Sequence, residues 1–511
     1  MTRSWPTLGR RNFLVGMAVA GTGLVACSPP PPPARRRALA PKPTEPGLRD
    51  MPVGFALGSS VLWASDAELA RTMDMAAEAG AKMVRFDVSW TFAEPSPGEM
   101  NWQPTDRVVE AATRRRLEVL ATVTNSPAWA AAGRIRHTGR PADPGQFAAF
   151  AGKAAQRYAG QVGQYEVWNE PNGRLFFQPD PDPAIYASMV RLTYQAIKQA
   201  DSKAVVVAGA LGATGHGEGV IVPVEYLKQM YAAGVAGSFD ALSYHPYDYL
   251  APLAGGALYP GSPTQQMVDM FDVMAANGDG DKPIWITEYG APTSVVGERM
   301  QSTLIVDSVR QWPEVEAGGP FFIYGLRDID SEIGDPHAGF GLVTADFTPK
   351  PAFRDLKAVL RAKNPARAQY EQFSVARDPT LGRSLTPIYT VAAALAQQFE
   401  RGTRFMTAKG VFNSPPAVAA LARAWKIVPI GPFNNGYQDF AVDNTGRIFS
   451  NEATGTHLVV GAILAAWTPS IGFPVSDQYD IGTASQPGAA VDFERGRITW
   501  QQNTGVKVVA R

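Results

Sequence analysis

The sequence has a single cysteine and few histidines, and both scarcities restrict its chemistry. Cys27 is the only cysteine among 511 residues, which excludes an intramolecular disulfide. The five histidines are scattered through the sequence, and none belongs to HExxH or another compact metal-binding spacing. The sequence also has no P-loop and no GxGxxG. We therefore expect no metal and no cofactor, and nucleotide chemistry has no support.

An excess of charge of one sign is also missing. Lys and Arg together number 47, and so do Asp and Glu, so nothing in the composition indicates a nucleic-acid partner. Hydrophobic residues make up 45% of the chain, which is ample for a packed core. A length of 511 residues is too great for one typical domain.

The N-terminus has the features of an export signal. Arg10 and Arg11 form a twin-arginine pair, and an apolar run from Phe13 to Ala26 follows them. That run is short for a bilayer span but typical of a signal peptide. It ends in LVAC, which resembles a bacterial lipobox and places Cys27 where a lipid would be attached. The sequence predicts a Tat-type lipoprotein signal over residues 1–27. A non-cleaved N-terminal anchor is the alternative.

Residues 28–49 read SPPPPPARRRALAPKPTEPGLR, a proline-rich stretch that cannot bury enough apolar surface to fold. We expect a stiff, extended linker between the lipid and the rest of the protein. The predicted location is therefore the outer face of a bacterial cell membrane, within the cell envelope, with the membrane held through the lipid on Cys27.

Residues 50–364 alternate short apolar runs with amphipathic stretches, the pattern of repeated βα units and a parallel sheet. Eight strands in about 310 residues fit a (β/α)8 TIM barrel of the α/β class. The predicted strands are 53–57, 83–86, 118–123, 164–167, 204–208, 241–244, 283–287 and 320–324. Helical stretches such as 67–79 and 144–158 lie between them.

Two of these strands end close to a glutamate. Glu170 lies in WNEPN after strand 4, and Glu288 lies in ITEYG at the end of strand 7. In a TIM barrel such positions face the active-site mouth, and strands 4 and 7 lie across the barrel from each other. Two carboxyl groups that converge on one bond are what glycoside hydrolysis requires: one protonates the leaving oxygen, and the other attacks the anomeric carbon or activates water.

WNEP ahead of ITEYG resembles glycoside hydrolase clan A, with family 39 the most similar and family 5 next. Further segments are similar to this clan along most of residues 52–362: RFDVSW from Arg85, TNSPAW from Thr124, SYHPY from Ser243, and the segment from Gly341 to Pro351. The resemblance implies a retaining glycosidase that hydrolyses O-glycosyl compounds (EC 3.2.1.-). Glu170 would be its acid/base and Glu288 its nucleophile.

The resemblance also implies roles for residues around the glutamates. Asn169 would hydrogen-bond the 2-hydroxyl of the attacked sugar. Arg85 would lie under Glu288 and is also assigned to the substrate-binding residues. His245 and Tyr247 would line the site. Many members of the clan have a tryptophan on the last strand, where this sequence has either Tyr324, or Arg327 with Asp328, as the candidate replacement. A further set of aromatic residues is expected to stack on sugar rings, with core packing as the alternative for each: Trp90, Trp129 and Trp168.

Residues 380–511 contain internal repeats. FERG occurs twice, beginning at Phe399 and at Phe493, and GRI occurs at Gly446 and Gly496. Such repeats indicate stacked units that share a core, and three copies are expected. The segment IGFP from Ile471 resembles the LGFP repeat, which implies attachment to the cell wall. A structural cap for the barrel is the alternative.

The sequence therefore predicts a glycosidase that acts on a polysaccharide or glycolipid of the cell envelope. Two alternatives stay open. The first is a transglycosylase that remodels the wall, and the second is a catalytically silent barrel that only binds glycan. The sequence does not name the sugar.

Overall fold

The computed structural model describes residues 51–133, 138–329, 338–362, 373, 378–441, 445–483 and 486–510. The expected signal peptide, Cys27 and the proline-rich linker lie outside these residues. Within the described ranges, no helix is long and apolar enough to cross a membrane.

Eight parallel strands close into a barrel in sequence order, which confirms the predicted TIM barrel. All eight predicted strands are present, and most extend further than predicted toward the C-terminal end of the barrel. The strands are β1 Val53–Gly58, β2 Met83–Ser89, β3 Glu118–Thr124, β4 Gln164–Val167, β5 Val205–Gly212, β6 Ala241–His245, β7 Ile284–Tyr289 and β8 Gly318–Tyr324.

Helices follow every strand and surround the barrel. They are α1 Asp66–Ala79, α2 Trp90–Ala93, α3 Gln103–Arg114, α4 Pro144–Arg157, α5 Pro183–Ala200, α6 Pro223–Ala232, α7 Leu253–Gly256, α8 Pro263–Ala276, α9 Thr293–Gln311 and α10 Pro351–Arg361. A 3-10 turn, Ser60–Trp63, follows β1, and another, Trp312–Glu314, precedes β8.

The first outer helix shows how local sequence sets these boundaries. Ser65 and Glu68 form a capping box at the start of α1, in which each side chain accepts a hydrogen bond from the other's backbone N–H. Gly80 ends the helix in the left-handed region, with a φ of 98° that costs glycine little. The helix therefore begins and ends where its capping residues stand.

The barrel interior is apolar in its lower layer and polar in the layer nearer the C-terminal ends of the strands. Side chains from seven strands form a closed apolar layer: Ala56, Met83, Leu120, Val207, Ala241, Trp285 and Phe322. Successive side chains alternate between the two faces of a strand, so residues two positions further along also point inward. On β2, β3 and β6 these are Arg85, Thr122 and Ser243, all buried. A polar layer thus lies at the C-terminal end of the barrel, where the loops meet.

The C-terminal region contains three antiparallel sheets. Their strands are β9 Tyr389–Val391, β10 Ala394–Phe399, β11 Gly402–Thr407 and β12 Gly410–Ser414; β13 Tyr437–Phe440, β14 Gly446–Asn451 and β15 Gly455–Val460; and β16 Tyr479–Asp480, β17 Gly488–Phe493, β18 Gly496–Gln501 and β19 Gly505–Ala510. Helices α11 (Pro416–Trp425) and α12 (Gly461–Ala466) each pack between two successive sheets. The three sheets agree with the expected three copies.

The repeated FERG segment has a structural role at the turn between two strands. Its glutamate reaches back to the turn that precedes the sheet: Glu494 accepts the backbone N–H of Phe473 at 2.8 Å, and Glu400 accepts that of Arg383 at 3.1 Å. The backbone N–H of Arg495 bonds the carbonyl of Ile471 in the same clamp, at 3.0 Å. The residues of the repeated FERG segment therefore hold each sheet to the turn that precedes it.

The first repeat is joined directly to the barrel. Buried Glu314, in the turn before β8, accepts the backbone N–H of Ile388 at 2.8 Å. Its carbonyl accepts from Ser384 at 2.7 Å and from Gln397 at 3.0 Å. Barrel and repeats belong to one compact unit, Gly47–Arg511. The expected segment 380–511 thus begins with a sheet that shares the packing of the barrel.

Candidate active site

Glu170 and Glu288 converge at the C-terminal end of the barrel. Glu288 is the fifth residue of β7, and Glu170 follows β4 by three residues. One oxygen of each carboxylate lies within 4.8 Å of the other and of a ring nitrogen of His245. The two glutamates singled out in the sequence are therefore brought together over one small space.

The backbone around Glu170 is held in a sparsely populated conformation. Trp168 has a φ of 68° and Glu170 a φ of 46°, both in the left-handed region that non-glycine residues rarely adopt. The backbone N–H of Glu170 bonds the carbonyl of Ala210 on β5 at 3.0 Å. Such strain persists where surrounding contacts fix it, and here it turns the Glu170 side chain toward the mouth.

A glycine leaves room for the Glu170 carboxyl. A Cβ atom at Gly212, the last residue of β5, would lie 3.2 Å from Cδ of Glu170. Asn172 fixes this strand end, because its side-chain amide bonds both the N–H and the carbonyl of Gly212 at 2.9 Å. Neither residue was assigned a role from the sequence, although Asn172 belongs to the WNEPN segment.

Arg85 connects the acidic groups of the site. Its Nε donates to Glu166 at 2.7 Å, its Nη1 to Glu288 at 2.5 Å and its Nη2 to Asn169 at 2.7 Å. Only 1% of Arg85 is exposed. The expectation that it lies under Glu288 agrees with this geometry, but its assignment as a substrate-binding residue is wrong because its guanidinium is buried beneath the carboxylates.

Glu166 completes the support below Arg85. It is fully buried, and its Oε2 also accepts from Thr122 at 2.9 Å. Burial alone would raise the pKa of Glu166, but the charge of Arg85, the neighbouring His245 and the hydrogen bonds to Glu166 together outweigh burial and leave that pKa lowered. This position makes Glu166 a buried support for Arg85 rather than a reacting group.

Tyr247 contacts the other oxygen of Glu288. Its hydroxyl donates to Oε2 at 2.8 Å. Burial and the neighbouring Glu288 raise the pKa of Tyr247 well above its ordinary value, so the phenol stays a hydrogen-bond donor. Each oxygen of Glu288 therefore receives one donor, Arg85 below and Tyr247 from the side.

His245 lies behind Glu170. Its Nδ1 is 2.8 Å from Oε1 of Glu170, and its Nε2 is 3.0 Å from the Thr287 hydroxyl. The ring is fully buried, so the expectation that His245 itself lines the substrate site is corrected. It instead orients Glu170. The ligand atoms of Glu170, His245 and Glu288 are close enough together to hold a metal ion. The positive charge of Arg85, which is paired with Glu288, opposes the binding of a cation there.

Asp87 is a third acidic group beside the pair that the sequence did not single out. It lies on β2 two residues after Arg85, so it faces the barrel interior. Burial raises the pKa of Asp87 to about 6, against the lowering effect of Arg85, and the nearby Glu288 and Glu166 raise it further. The alternation along β2 could have identified Asp87, because Arg85 two residues earlier points inward and RFD was already part of the motif.

The pocket above the pair has a volume of about 570 Å³. Glu170, Glu288 and the predicted Tyr247 and Tyr324 line it. Residues that the sequence did not suggest complete the lining: Asn172, Gly173, Arg174, Leu175, Phe176, Gly212, Ala213, Thr214, Glu218, Gly219, Val220, Tyr249 and Phe340. Most of these lie in loops, which have no hydrophobic period that would reveal them.

The tryptophans predicted to stack on sugar divide into two groups. Trp90 is 1% exposed, is stacked on Phe150 at 5.6 Å and donates to Glu94 at 2.8 Å. Trp168 is also 1% exposed and donates to the Phe176 carbonyl. Both are core residues, and their predicted contact with sugar is wrong. Trp129, 37% exposed in the loop after β3, keeps an accessible surface.

The closed barrel and its opposed carboxylates at the ends of β4 and β7 define a glycoside hydrolase of clan A. The family model described as "Cellulase (glycosyl hydrolase family 5)" matches residues 46–312, more than half of the chain. The chain therefore belongs to glycosyl hydrolase family 5 and is a glycosidase. The LGFP repeat model matches residues 471–511. A search among curated proteins found no match.

One solved structure with a TM-score above 0.5 supports the same fold, and two others with lower scores are also similar. A family 39 glycoside hydrolase from the gut symbiont Bacteroides cellulosilyticus WH2 is 18% identical, with a TM-score of 0.51 over 70% of this chain and 71% of that chain. A monomeric beta-xylosidase from Caulobacter crescentus CB15 is 18% identical, with a TM-score of 0.49 over 70% and 73% of the two chains. GH5_18 from Streptomyces cattleya, in complex with GlcNAc, is 16% identical, with a TM-score of 0.47 over 62% and 82%.

Proposed function

We propose that this glycosidase hydrolyses its substrate by double displacement, with Glu288 as nucleophile and Glu170 as acid/base. The observation that carries this proposal is that one carboxylate oxygen of Glu170 lies within 4.8 Å of one carboxylate oxygen of Glu288. Retaining enzymes hold the two carboxyl groups about 5–5.5 Å apart, whereas inverting enzymes leave roughly 6.5–9.5 Å for a water molecule. The separation favours direct attack by a carboxylate.

Glu288 has the environment of the nucleophile. Its two oxygens accept hydrogen bonds from Arg85 and Tyr247, which orient the carboxylate and stabilise its negative charge. In the first step an oxygen of Glu288 bonds the anomeric carbon while the bond to the leaving oxygen breaks. In the second step water attacks the same carbon and releases Glu288.

Glu170 has the environment of the acid/base. Its side chain is more exposed than that of Glu288, and His245 holds it at 2.8 Å. It gives its proton to the leaving oxygen in the first step and takes a proton from water in the second. We assign to Asn169, whose side-chain oxygen accepts a hydrogen bond from Arg85, the binding of the 2-hydroxyl of the attacked sugar. Tyr324 and Tyr247 line the pocket on the side of Glu288.

The substrate we propose is a polysaccharide or glycolipid of the cell envelope. The predicted Tat-type signal, the lipobox at Cys27 and the proline-rich linker support export and attachment to the membrane. The LGFP repeat supports attachment of the C-terminal region to the wall. Together they favour a substrate that lies between membrane and wall.

Azide rescue tests the two catalytic roles. We expect Glu170→Ala and Glu288→Ala each to lose roughly 10²–10⁴-fold or more in turnover of an activated aryl β-glycoside. With azide, Glu170→Ala should give the glycosyl azide of retained configuration and Glu288→Ala the inverted one. Glu225→Gln, on the exposed face of α6, is the matched control. Azide products with the two configurations exchanged would refute the assignment.

The two attachment proposals have separate tests. Cys27→Ala should release the exported protein from the membrane fraction, and continued membrane binding of the unprocessed chain would contradict the lipobox. For the repeats, the exported chain is compared with a chain that ends at residue 467. Equal retention of both on purified cell walls would contradict the proposed wall attachment.

A further inference from the structure

The pocket wall on the side of Glu170 is apolar. It is formed by two loops, the one after β4 with Leu175 and Phe176 and the one after β5 with Ala213 and Val220. We call these four residues the Glu170 wall. Leu175 is 76% exposed and Phe176 is 37% exposed. Aliphatic side chains dominate this wall, whereas sugar rings are usually bound by aromatic faces and polar groups.

The wall is carried on ordered backbone. The N–H of Arg174 bonds the carbonyl of Gly219 at 2.7 Å, and the N–H of Ile221 bonds the carbonyl of Asn172 at 2.9 Å. Trp168, deep in the core, donates to the Phe176 carbonyl at 2.7 Å. These bonds join the two loops to each other and to the barrel. The exposed apolar side chains are therefore held in place before a ligand arrives.

The charged groups at this wall are paired with each other. Arg174 bonds Asp180 at 2.7 Å and Glu218 at 3.2 Å. A guanidinium that is shared between two carboxylates offers little to an additional anionic or polar ligand. The pairing leaves the aliphatic side chains as the principal contact surface.

Other exposed apolar residues lie outside the pocket. Leu250 directly follows the pocket residue Tyr249 and is 96% exposed, and Ile329 after β8 is 71% exposed. Trp63 after β1 is 59% exposed. These residues lie in loops at the C-terminal end of the barrel, the same end as the pocket. They follow β6, β8 and β1, whereas the Glu170 wall follows β4 and β5, so these residues are not part of that wall.

We propose that the Glu170 wall binds an alkyl chain of the substrate, so that the leaving group is the lipid part of a glycolipid. This inference rests on the proposed function. If Glu170 protonates the leaving oxygen, the leaving group must lie on the Glu170 side of the pocket. Between the two envelope substrates, the wall thus selects glycolipid over polysaccharide.

A series of alkyl glycosides tests the inference. The methyl, butyl and octyl β-glycosides of the sugar that the enzyme cleaves best are compared as monomers in solution. We expect kcat/KM to rise roughly two- to fourfold for each methylene that the wall buries. In Leu175→Ser the ratio of octyl to methyl kcat/KM should fall several-fold. Leu192→Ser, at a leucine 37% exposed on α5, is the matched control and should leave that ratio unchanged.

A binding measurement separates this inference from the proposed function. Methyl and octyl β-glucoside are titrated calorimetrically into Glu288→Gln, with and without Leu175→Ser. Tighter binding of the octyl compound that depends on Leu175 supports the wall even if no glycoside is cleaved, in which case only the proposed function fails. Cleavage without chain-length dependence overturns the inference and leaves the proposed function intact. A gain from added sugar units instead of methylenes overturns it in favour of polysaccharide.

Discussion

Arg85 ties Glu288 to Glu166 through opposite ends of one guanidinium, with Nη1 2.5 Å from the first carboxylate and Nε 2.7 Å from the second. The lower carboxylate is fully buried and the upper one faces the pocket. The position of the proposed nucleophile is thus set by a residue one layer deeper in the barrel, which no substrate can reach.

Glu166→Gln should weaken both stability and catalysis. Removing one partner of a buried ion pair leaves a charge without full compensation, which costs about 3 kcal/mol of unfolding free energy. We expect kcat to fall because Arg85 is then less firmly oriented toward Glu288. Urea unfolding and steady-state kinetics measure the two effects. Glu110→Gln removes an exposed ion pair with Arg114 and should change stability by less than about 1 kcal/mol. Equal stability of the two variants would show that Arg85 does not depend on Glu166.

Gly212→Ala should reduce activity with little effect on folding. The new Cβ would lie 3.2 Å from Cδ and 3.3 Å from Oε1 of Glu170, so the carboxyl must shift by a fraction of an ångström. Misplacement of a catalytic group by about 1 Å can cost on the order of 100-fold, and we expect a loss of about tenfold in kcat. The melting temperature should stay close to that of the wild type.

Gly215→Ala is the control for that substitution. Gly215 lies in the loop that follows Gly212, and a Cβ there would meet nothing within 4 Å. If both alanine variants retain full turnover, the space beside Glu170 is not a catalytic requirement.

Asp87→Asn should stabilise the protein at neutral pH and not in acid. The pKa of Asp87 is raised from 3.8 to about 6, so folding favours its protonated form. The resulting stability is fully present below pH about 4 and is lost as the pH rises through about 6. Asparagine avoids that loss. Because Asp87 is partly exposed, we expect a gain of about 1–2 kcal/mol at pH 7.5.

The gain should shrink to nothing near pH 4, which thermal unfolding at the two pH values would measure. Asp281→Asn, at an exposed aspartate in the turn before β7, should show no such pH dependence. A gain from Asp87→Asn that persists unchanged in acid would mean that its charge is not the cause.

Glu494→Ala should loosen the third repeat. The substitution removes the acceptor of the Phe473 N–H, and the loss of a bond to a charged group costs about 1–3 kcal/mol. Hydrogen exchange of the amides around residues 471–473 should therefore accelerate, while the barrel amides keep their protection. Glu452→Ala alters an exposed residue of the second repeat and should leave exchange at 471–473 unchanged. Unchanged exchange in both variants would rule out the clamp.

The barrel itself could be predicted from the sequence because its signals are local and periodic. Each strand is a short apolar run between helical stretches, and all eight were placed within a few residues. The two glutamates could be placed for the same reason, since they stand at or just beyond strand ends and the fold alone brings those ends together.

Exposure could not be predicted in the same way. Trp90 and Glu94 belong to a motif shared with the clan, yet the structure uses them locally: Glu94 accepts from the Trp90 ring and from the Gly98 N–H. The sequence around such a tryptophan is the same whether its ring faces the pocket or the core, so the sequence alone does not give its exposure. The difference depends on Phe150 from α4, which packs against the ring from a distant part of the chain.

The Glu170 wall was missed for a different reason. Leu175 and Phe176 lie in a loop, where apolar residues follow no period, and their meeting with Val220 depends on hydrogen bonds between two separate loops. Only the three-dimensional structure shows that these side chains stand on the same side of the pocket as Glu170.

The hydrogen bonds between Glu314 and the first repeat leave no hinge between the barrel and that repeat. An ordinary appended module swings on its tether and lets its enzyme sample many directions. Here the first repeat is built into the flank of the barrel, so the two move as one body. A surface bound by the first repeat would therefore set both the direction in which the barrel mouth faces and its distance from that surface.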